Sequence, residues 1–187
     1  MSETRGVGFD HAHFASISWC ARHLHGLRVV TRPPSSRHRK SNGEDAFFAE
    51  TLKTQSTISA MLEVFEDPPS PLERIDHVKT FLTLGSGLNG HAGICHGGLV
   101  TTILDEVIGL LIPINKGRNA IPNTDYMTAY LNTTFFRPVP TSTTILAQAR
   151  IVRAEGRKYY TEATIENKDG EVLARADALY VGRRSRL

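Results

Sequence analysis

Cysteine is almost missing from this chain. Cys20 and Cys95 are its two cysteines. They lie far apart, and no CxxC or Cys/His ligand spacing surrounds them. That excludes a disulfide framework and a zinc module, and it makes free thiols in a reducing compartment the expectation. Aromatic residues are few, at 7%, with one tryptophan. No Lys/Arg run is interleaved with aromatics. The net charge of +3 is only mildly basic. Together these exclude a nucleic-acid protein while leaving room for an anionic ligand. No apolar leader and no transmembrane run is evident. What the chain does have is 40% hydrophobic and 22% charged residues over 187 positions. That is enough for one globular domain with a proper core.

The most informative stretch is HAGICHGGLVTTILDEVIGLL, from His91 to Leu111. It reads as an extended approach ending at His96, a Gly97-Gly98 turn, and a buried helix. Leu99, Val100, Ile103, Leu104, Val107, Ile108, Leu110 and Leu111 cover most of the helix surface, the mark of a buried helix. It reads as too short and interrupted to span a membrane. At about 100° per residue, Asp105 shares a sector with Gly98, Thr101, Thr102 and Gly109. That sector holds no large side chain, so a substrate or a second helix fits against it. Glu106 falls on the edge of the apolar sector and is expected to face away. Periodicity leaves two readings of Asp105 open: a solvated acid in a packing groove, or a catalytic carboxylate below a helix N-terminus that can hold an oxyanion. Cys95 and His96 are neighbours in an extended segment and point to opposite faces, so Cys95 reads as a packed thiol rather than a nucleophile.

Residues 1–43 read as an N-terminal extension and basic linker. Phe14, Ile17, Trp19 and Leu24 suit a short amphipathic helix with a Trp anchor. Leu27, Val29 and Val30 suit an extended stretch lying on the domain. The excess of Arg over acids is also compatible with a mitochondrial transit composition. The expected compartment is cytoplasmic, with mitochondrial as the alternative. Residues 44–187 read as the main domain. A helix, whole or divided in two near Thr54 to Thr57, is expected from Glu44, because Phe47, Phe48, Leu52, Ile58, Met61, Leu62 and Phe65 recur near helical spacing. Asp67-Pro68-Pro69 ends it. A sheet is expected over about 75–182, in antiparallel strands: Ile75 to Leu84, Met127 to Phe136, Thr143 to Arg153, Tyr159 to Glu166 and Val172 to Tyr180. Turns fall at Glu155-Gly156 and Asn167-Lys168-Asp169-Gly170. The fold class is α+β, one long helix wrapped by a curved antiparallel sheet.

HGG followed nine positions after His96 by Asp105 resembles the hot-dog-fold thioesterases of the HGG type. MTAYLNTTFFRPVP at 127–140 and AEGRK at 154–158 agree in order and spacing. The resemblance covers roughly Ile75 to Val181. It is nearest to the mammalian mitochondrial acyl-CoA thioesterases of the carboxyl-terminal-modulator kind and their fungal relatives.

That resemblance implies the hot-dog fold and hydrolysis of an acyl-CoA or acyl-carrier thioester. It implies no cofactor, CoA entering only as part of the substrate, and no metal. The active unit it implies is a homodimer or a dimer of dimers. Asp105 would be general base or nucleophile. The Gly97 N–H would hold the oxyanion, with Gly98 beside it and His96 orienting carbonyl or water. Thr128 would position the attacking water and would act on the Asp105 of the partner subunit. Arg157 and Lys158 match positions that meet CoA phosphates. Thr134 and Phe136 stand where relatives carry polar or basic substrate-binding residues, a departure that keeps an acyl carrier protein open as the carrier. A non-catalytic acyl-thioester-binding module and a hot-dog dehydratase are the competing functions.

Overall fold

The computed structural model describes residues 8–183. The chain opens with two short helices, α1 (Phe9–Ala15) and α2 (Ser18–Ala21), then strand β1 (Val29–Arg32) and a single turn of π-helix at Phe47–Thr51. Strands β2 (Ile58–Glu66) and β3 (His77–Leu84) follow, then a small hairpin of β4 (Asn89–His91) and β5 (Ile94–Cys95). Helices α3 (Gly97–Gly109) and α4 (Leu111–Gly117) lead into β6 (Tyr126–Phe135), β7 (Thr143–Glu155), β8 (Lys158–Glu166) and β9 (Val172–Gly182). Seven strands form one antiparallel sheet in the order β1-β2-β3-β7-β8-β9-β6.

Helix α3 crosses β7, β8 and β9 on one side of this sheet. Ala147, Ala149, Ala163, Ala174, Ala176 and Ala178 are all buried beneath it. Their small side chains let the helix lie close, while Val100, Ile103, Leu104, Val107 and Ile108 fill the space from the helix side. The run Gly97–Gly117 spans 21 residues, long enough to cross a bilayer, contrary to the expectation of a run too short. In this fold it lies on the sheet as the central core element. The strands after it fall where the sequence places them within two residues. Gly156 and Gly170 adopt φ of +57° and +80° in their turns, a region open to glycine.

The expected helix over Glu44 to Phe65 is a correction. Only Phe47–Thr51 is helical, and Ile58–Glu66 is a strand inside the sheet. Its residues are buried on both faces. Ile58, Met61 and Phe65 join the core under α3. Ala60, Leu62 and Val64 join a second cluster on the opposite face with Phe14, Cys20, Leu24 and Phe81. A strand covered on both sides loses its period-two pattern and mimics a helix. The cover comes from α1 and α2, which realise the amphipathic segment expected at Phe14 to Leu24. The sheet therefore starts at Val29, well before residue 75.

The segment after β1 runs round that sheet edge towards the helix side. Arg37, expected in a linker, is 2% exposed. Its guanidinium donates to the carbonyls of Phe48, Leu52 and Ile58 at 2.9, 3.1 and 2.7 Å. Three carbonyl acceptors satisfy much of a buried cation's hydrogen-bonding need, and they fix residues 35–37 in place.

Candidate active site

The Asp105 carboxylate sits mid-helix on α3. Thr128 Oγ1 donates to its Oδ1 at 3.0 Å. The Tyr180 hydroxyl lies 3.0 Å from the same Oδ1 and 3.1 Å from the Asp105 carbonyl oxygen. Thr128 and Tyr180 are register partners on β6 and β9, so adjacent strands aim both hydroxyls at one acid. Gly109, one turn along α3, makes room: a Cβ there would stand 3.2 Å from the Tyr180 hydroxyl. The small-residue sector around Asp105 thus receives a protein hydroxyl. Burial, and then the Asp105 charge, raise the Tyr180 phenol further above its ordinary value. Tyr180 therefore stays a neutral donor.

The pairing of Thr128 with Asp105 in one chain corrects the expectation that Thr128 serves the acid of a partner. The strand following the helix returns alongside it, so the two residues meet within one subunit.

His96 caps α3. Its Nδ1 accepts the Gly98 N–H at 3.0 Å. A ring nitrogen that accepts is unprotonated, so the proton of the neutral ring is on Nε2. Gly98 permits this cap, since its Cβ would come within 3.2 Å of Nδ1. Gly97, the first helical residue, is exposed, and among the described residues no hydrogen bond takes its N–H. The Phe135 ring is its neighbour, 3.6 Å from the position of a Cβ. Gly97 and Asp105 are eight residues apart on one helix, which sets them about 12 Å apart along its axis. One carbonyl carbon cannot reach both in a single chain.

A cavity of about 560 Å³ opens beside Asp105 and is also lined by Glu106, Ser36, Lys40, Tyr126 and Tyr180. Glu106 is a second correction: it lines the same cavity as Asp105 instead of facing away. Desolvation pushes its carboxyl up to about 7, and the charges of Asp45 and Asp105 add to this. Its surroundings are supplied by Ser36, Arg37 and Asp45, some 60 or more positions earlier in the chain, which helix periodicity cannot register. Tyr180 was missed as well. Its signal was present: it continues the alternation of Ala174, Ala176 and Ala178 on the helix-facing side of β9.

The other expected site residues lie elsewhere. Arg157 and Lys158 are exposed at the β7–β8 turn. Lys158 pairs with Val181, one residue from Tyr180, so the turn stands at the Asp105 end of the sheet. Arg157 donates to the Gly182 carbonyl at 2.9 Å. Thr134 and Phe136 are exposed at the far end of β6. Phe136 lines a separate groove of about 720 Å³ with Arg137, Arg150 and Arg175. These arginines pair with Glu171 and Glu162, leaving an ion-pair ladder. Cys95 is buried, and desolvation pushes its thiol up to about 11, so it is no nucleophile at neutral pH.

Residues 92–174 match the family model described as "Thioesterase superfamily". That stretch is similar to the superfamily, and the chain has the hot-dog fold. Among solved structures, the Streptococcus pneumoniae TIGR4 protein described as a hypothetical thioesterase with coenzyme A shares this fold. It has a TM-score of 0.51, is 20% identical, and the match covers 60% of this chain and 86% of that one. Verlamelin biosynthesis protein B of a Lecanicillium species is 29% identical, covering 76% of this chain and 74% of its own. Acyl-coenzyme A thioesterase THEM4 of Mus musculus is 33% identical over 52% of this chain and 39% of its own. The chain thus spans about two-fifths of the length of that mouse relative. The family match and this relative support a thioester hydrolase.

Proposed function

We propose that this hot-dog domain hydrolyses an acyl thioester carried on CoA or on a related phosphopantetheine carrier, with water activated by Asp105. The bond from Thr128 Oγ1 to Asp105 Oδ1 carries the reading. A carboxylate held by one strand hydroxyl and backed by the Tyr180 phenol has its second oxygen free to take a proton from water. Thr128 holds the acid and stands beside the water it activates. The thioester carbonyl then needs a donor for its developing negative charge, and the exposed Gly97 N–H at the start of α3 is suited to that task.

Because Asp105 and Gly97 are about 12 Å apart along one helix, the reading requires two copies of the chain. Strand β6 is an outer strand of the sheet. It exposes Met127, Tyr130 and Phe135, and its outer edge presents unpaired backbone groups. Two-fold pairing of β6 with its mate sets the Thr128 end of one copy against the Phe135 end of the other. Phe135 lies beside Gly97, 3.6 Å from where a Cβ would stand, so this pairing brings the second copy's Gly97 towards Asp105 and Thr128. The homodimer with two shared sites follows. Arg157 and Lys158, at the Asp105 end of the sheet, are placed to meet carrier phosphates.

Incubation with a panel of acyl-CoA and acyl-pantetheine thioesters, read by release of free thiol, tests the function. Thiol release that Asp105→Asn abolishes is expected. Tight acyl-thioester binding without release would favour a non-catalytic module instead, and enoyl product would favour a dehydratase.

A further inference from the structure

The cavity beside Asp105 has a polar end that water activation does not use. Ser36 lines it and is 5% exposed, yet its hydroxyl has no hydrogen-bond partner. The Glu106 carboxyl lines the same cavity and lies close enough to the Ser36 hydroxyl to be stabilised by it, without a bond of standard geometry. A buried hydroxyl without a partner is uncommon in folded proteins. This one is held rigidly, since the adjacent Arg37 is pinned by three carbonyls. On the same wall Lys40 is already engaged, binding Asp45 at 2.5 Å.

We propose that Ser36 and Glu106 form a subsite for a hydroxyl group on the acyl chain, so that the preferred substrate is a hydroxyacyl thioester. This rests on the hydrolase reading above. The donor and acceptor count selects the group. A hydroxyl donates to Glu106 and accepts from Ser36, satisfying both. A plain alkyl chain offers neither a donor nor an acceptor and leaves them only their poorly aligned contact with each other. A ketone accepts from Ser36 but offers nothing to Glu106 once the pH is above about 7 and its carboxyl is ionised, so the oxo compounds are compared above that pH. A carboxylate meets Asp105, Glu106, Asp45 and Asp125 on the same walls, against Lys116 and a Lys40 already paired with Asp45. A site built to hydrogen-bond a hydroxyl discriminates against the analogue lacking it far more strongly than an apolar pocket distinguishes a methylene. The N-terminal segment thereby acquires a role in choosing the substrate, because Ser36 belongs to it.

The test uses the full chain and a saturated acyl-CoA, compared with the same chain bearing one hydroxyl moved stepwise along it and with the matching oxo compounds. One hydroxyl position is expected to exceed the plain chain in kcat/KM by about tenfold or more. Ser36→Ala should shrink that ratio several-fold. Glu106→Leu should bring it to unity or reverse it, because an apolar wall suits the plain chain. The proposal is overturned if the plain chain is hydrolysed as well as every hydroxy isomer, if an oxo compound is preferred, or if both variants keep the wild-type ratio. Failure to hydrolyse any thioester would overturn the hydrolase reading itself, a different result from hydrolysis without discrimination.

Discussion

Thr128 on β6 donates its hydroxyl to Asp105 on α3 of the same chain, at 3.0 Å. In the proposed mechanism the acid and the residue that orients it therefore travel together, and the oxyanion donor comes from the second copy. Asp105→Asn keeps the size of the side chain and its bonding to Thr128 and Tyr180 but removes the base. It should fold normally, with an unchanged thermal midpoint, and lower kcat by about 10²–10⁴. Thr128→Ala should cost less, about tenfold, seen in kcat more than in KM.

Gly97→Pro isolates the oxyanion donor. His96 has φ −61° and ψ 132°, the extended geometry that suits a residue before proline. Proline is favoured at the first helical position, where it gives up only its N–H. A Cβ at Gly97 would meet the Phe135 ring at an ordinary 3.6 Å. The variant should keep its stability and lose about 10²–10³ in kcat. Steady-state kinetics with a thermal melt as the control checks this.

Arg37 should prove a strong stabiliser of the N-terminal segment. Arg37→Met removes the guanidinium donor from the carbonyls of Phe48, Leu52 and Ile58, of which Leu52 keeps the Ile58 N–H. A buried carbonyl left without its donor costs about 1–3 kcal/mol. Urea unfolding should show the loss as a lower midpoint with an unchanged slope.

Glu106 gives a pH signature. Its carboxyl is pushed from 4.5 up to about 7 in the fold. The folded protein thus holds a proton that the unfolded chain releases between these values. Stability from this group is full below about 4.5 and falls as pH rises towards 7, by on the order of 3 kcal/mol. Glu106→Gln should remove that slope. Unfolding free energies of both proteins across pH 4.5 to 7 measure the difference.

Much of the site was legible because its signals are local. Gly98, Thr101, Thr102 and Gly109 mark one helix sector, and Asp105 sits at its centre, where Tyr180 and Thr128 arrive. The small face of β9 announced its packing under α3 in the same way. What was not legible depends on distant chain. Ile58–Glu66 lost its strand period because α1 and α2 cover its outer face. Glu106 looked peripheral because its neighbours Ser36 and Arg37 arrive round the sheet edge. The intrachain contact of Thr128 was hidden because helical periodicity gives direction about an axis, not which copy of the chain stands opposite.

The shared site is tested most directly by complementation. Asp105→Asn and Gly97→Pro proteins, each inactive alone, are mixed under conditions that exchange subunits. Each heterodimer then holds one doubly damaged site and one site with Asp105 and Thr128 from one chain and Gly97 from the other, all intact. With random exchange, activity should return to about a quarter of wild type. Mixing Asp105→Asn with Thr128→Ala should restore nothing, because those two residues act from the same chain. Full activity in a monomer, no recovery in the first mixture despite demonstrated heterodimers, or recovery in the second would contradict the account.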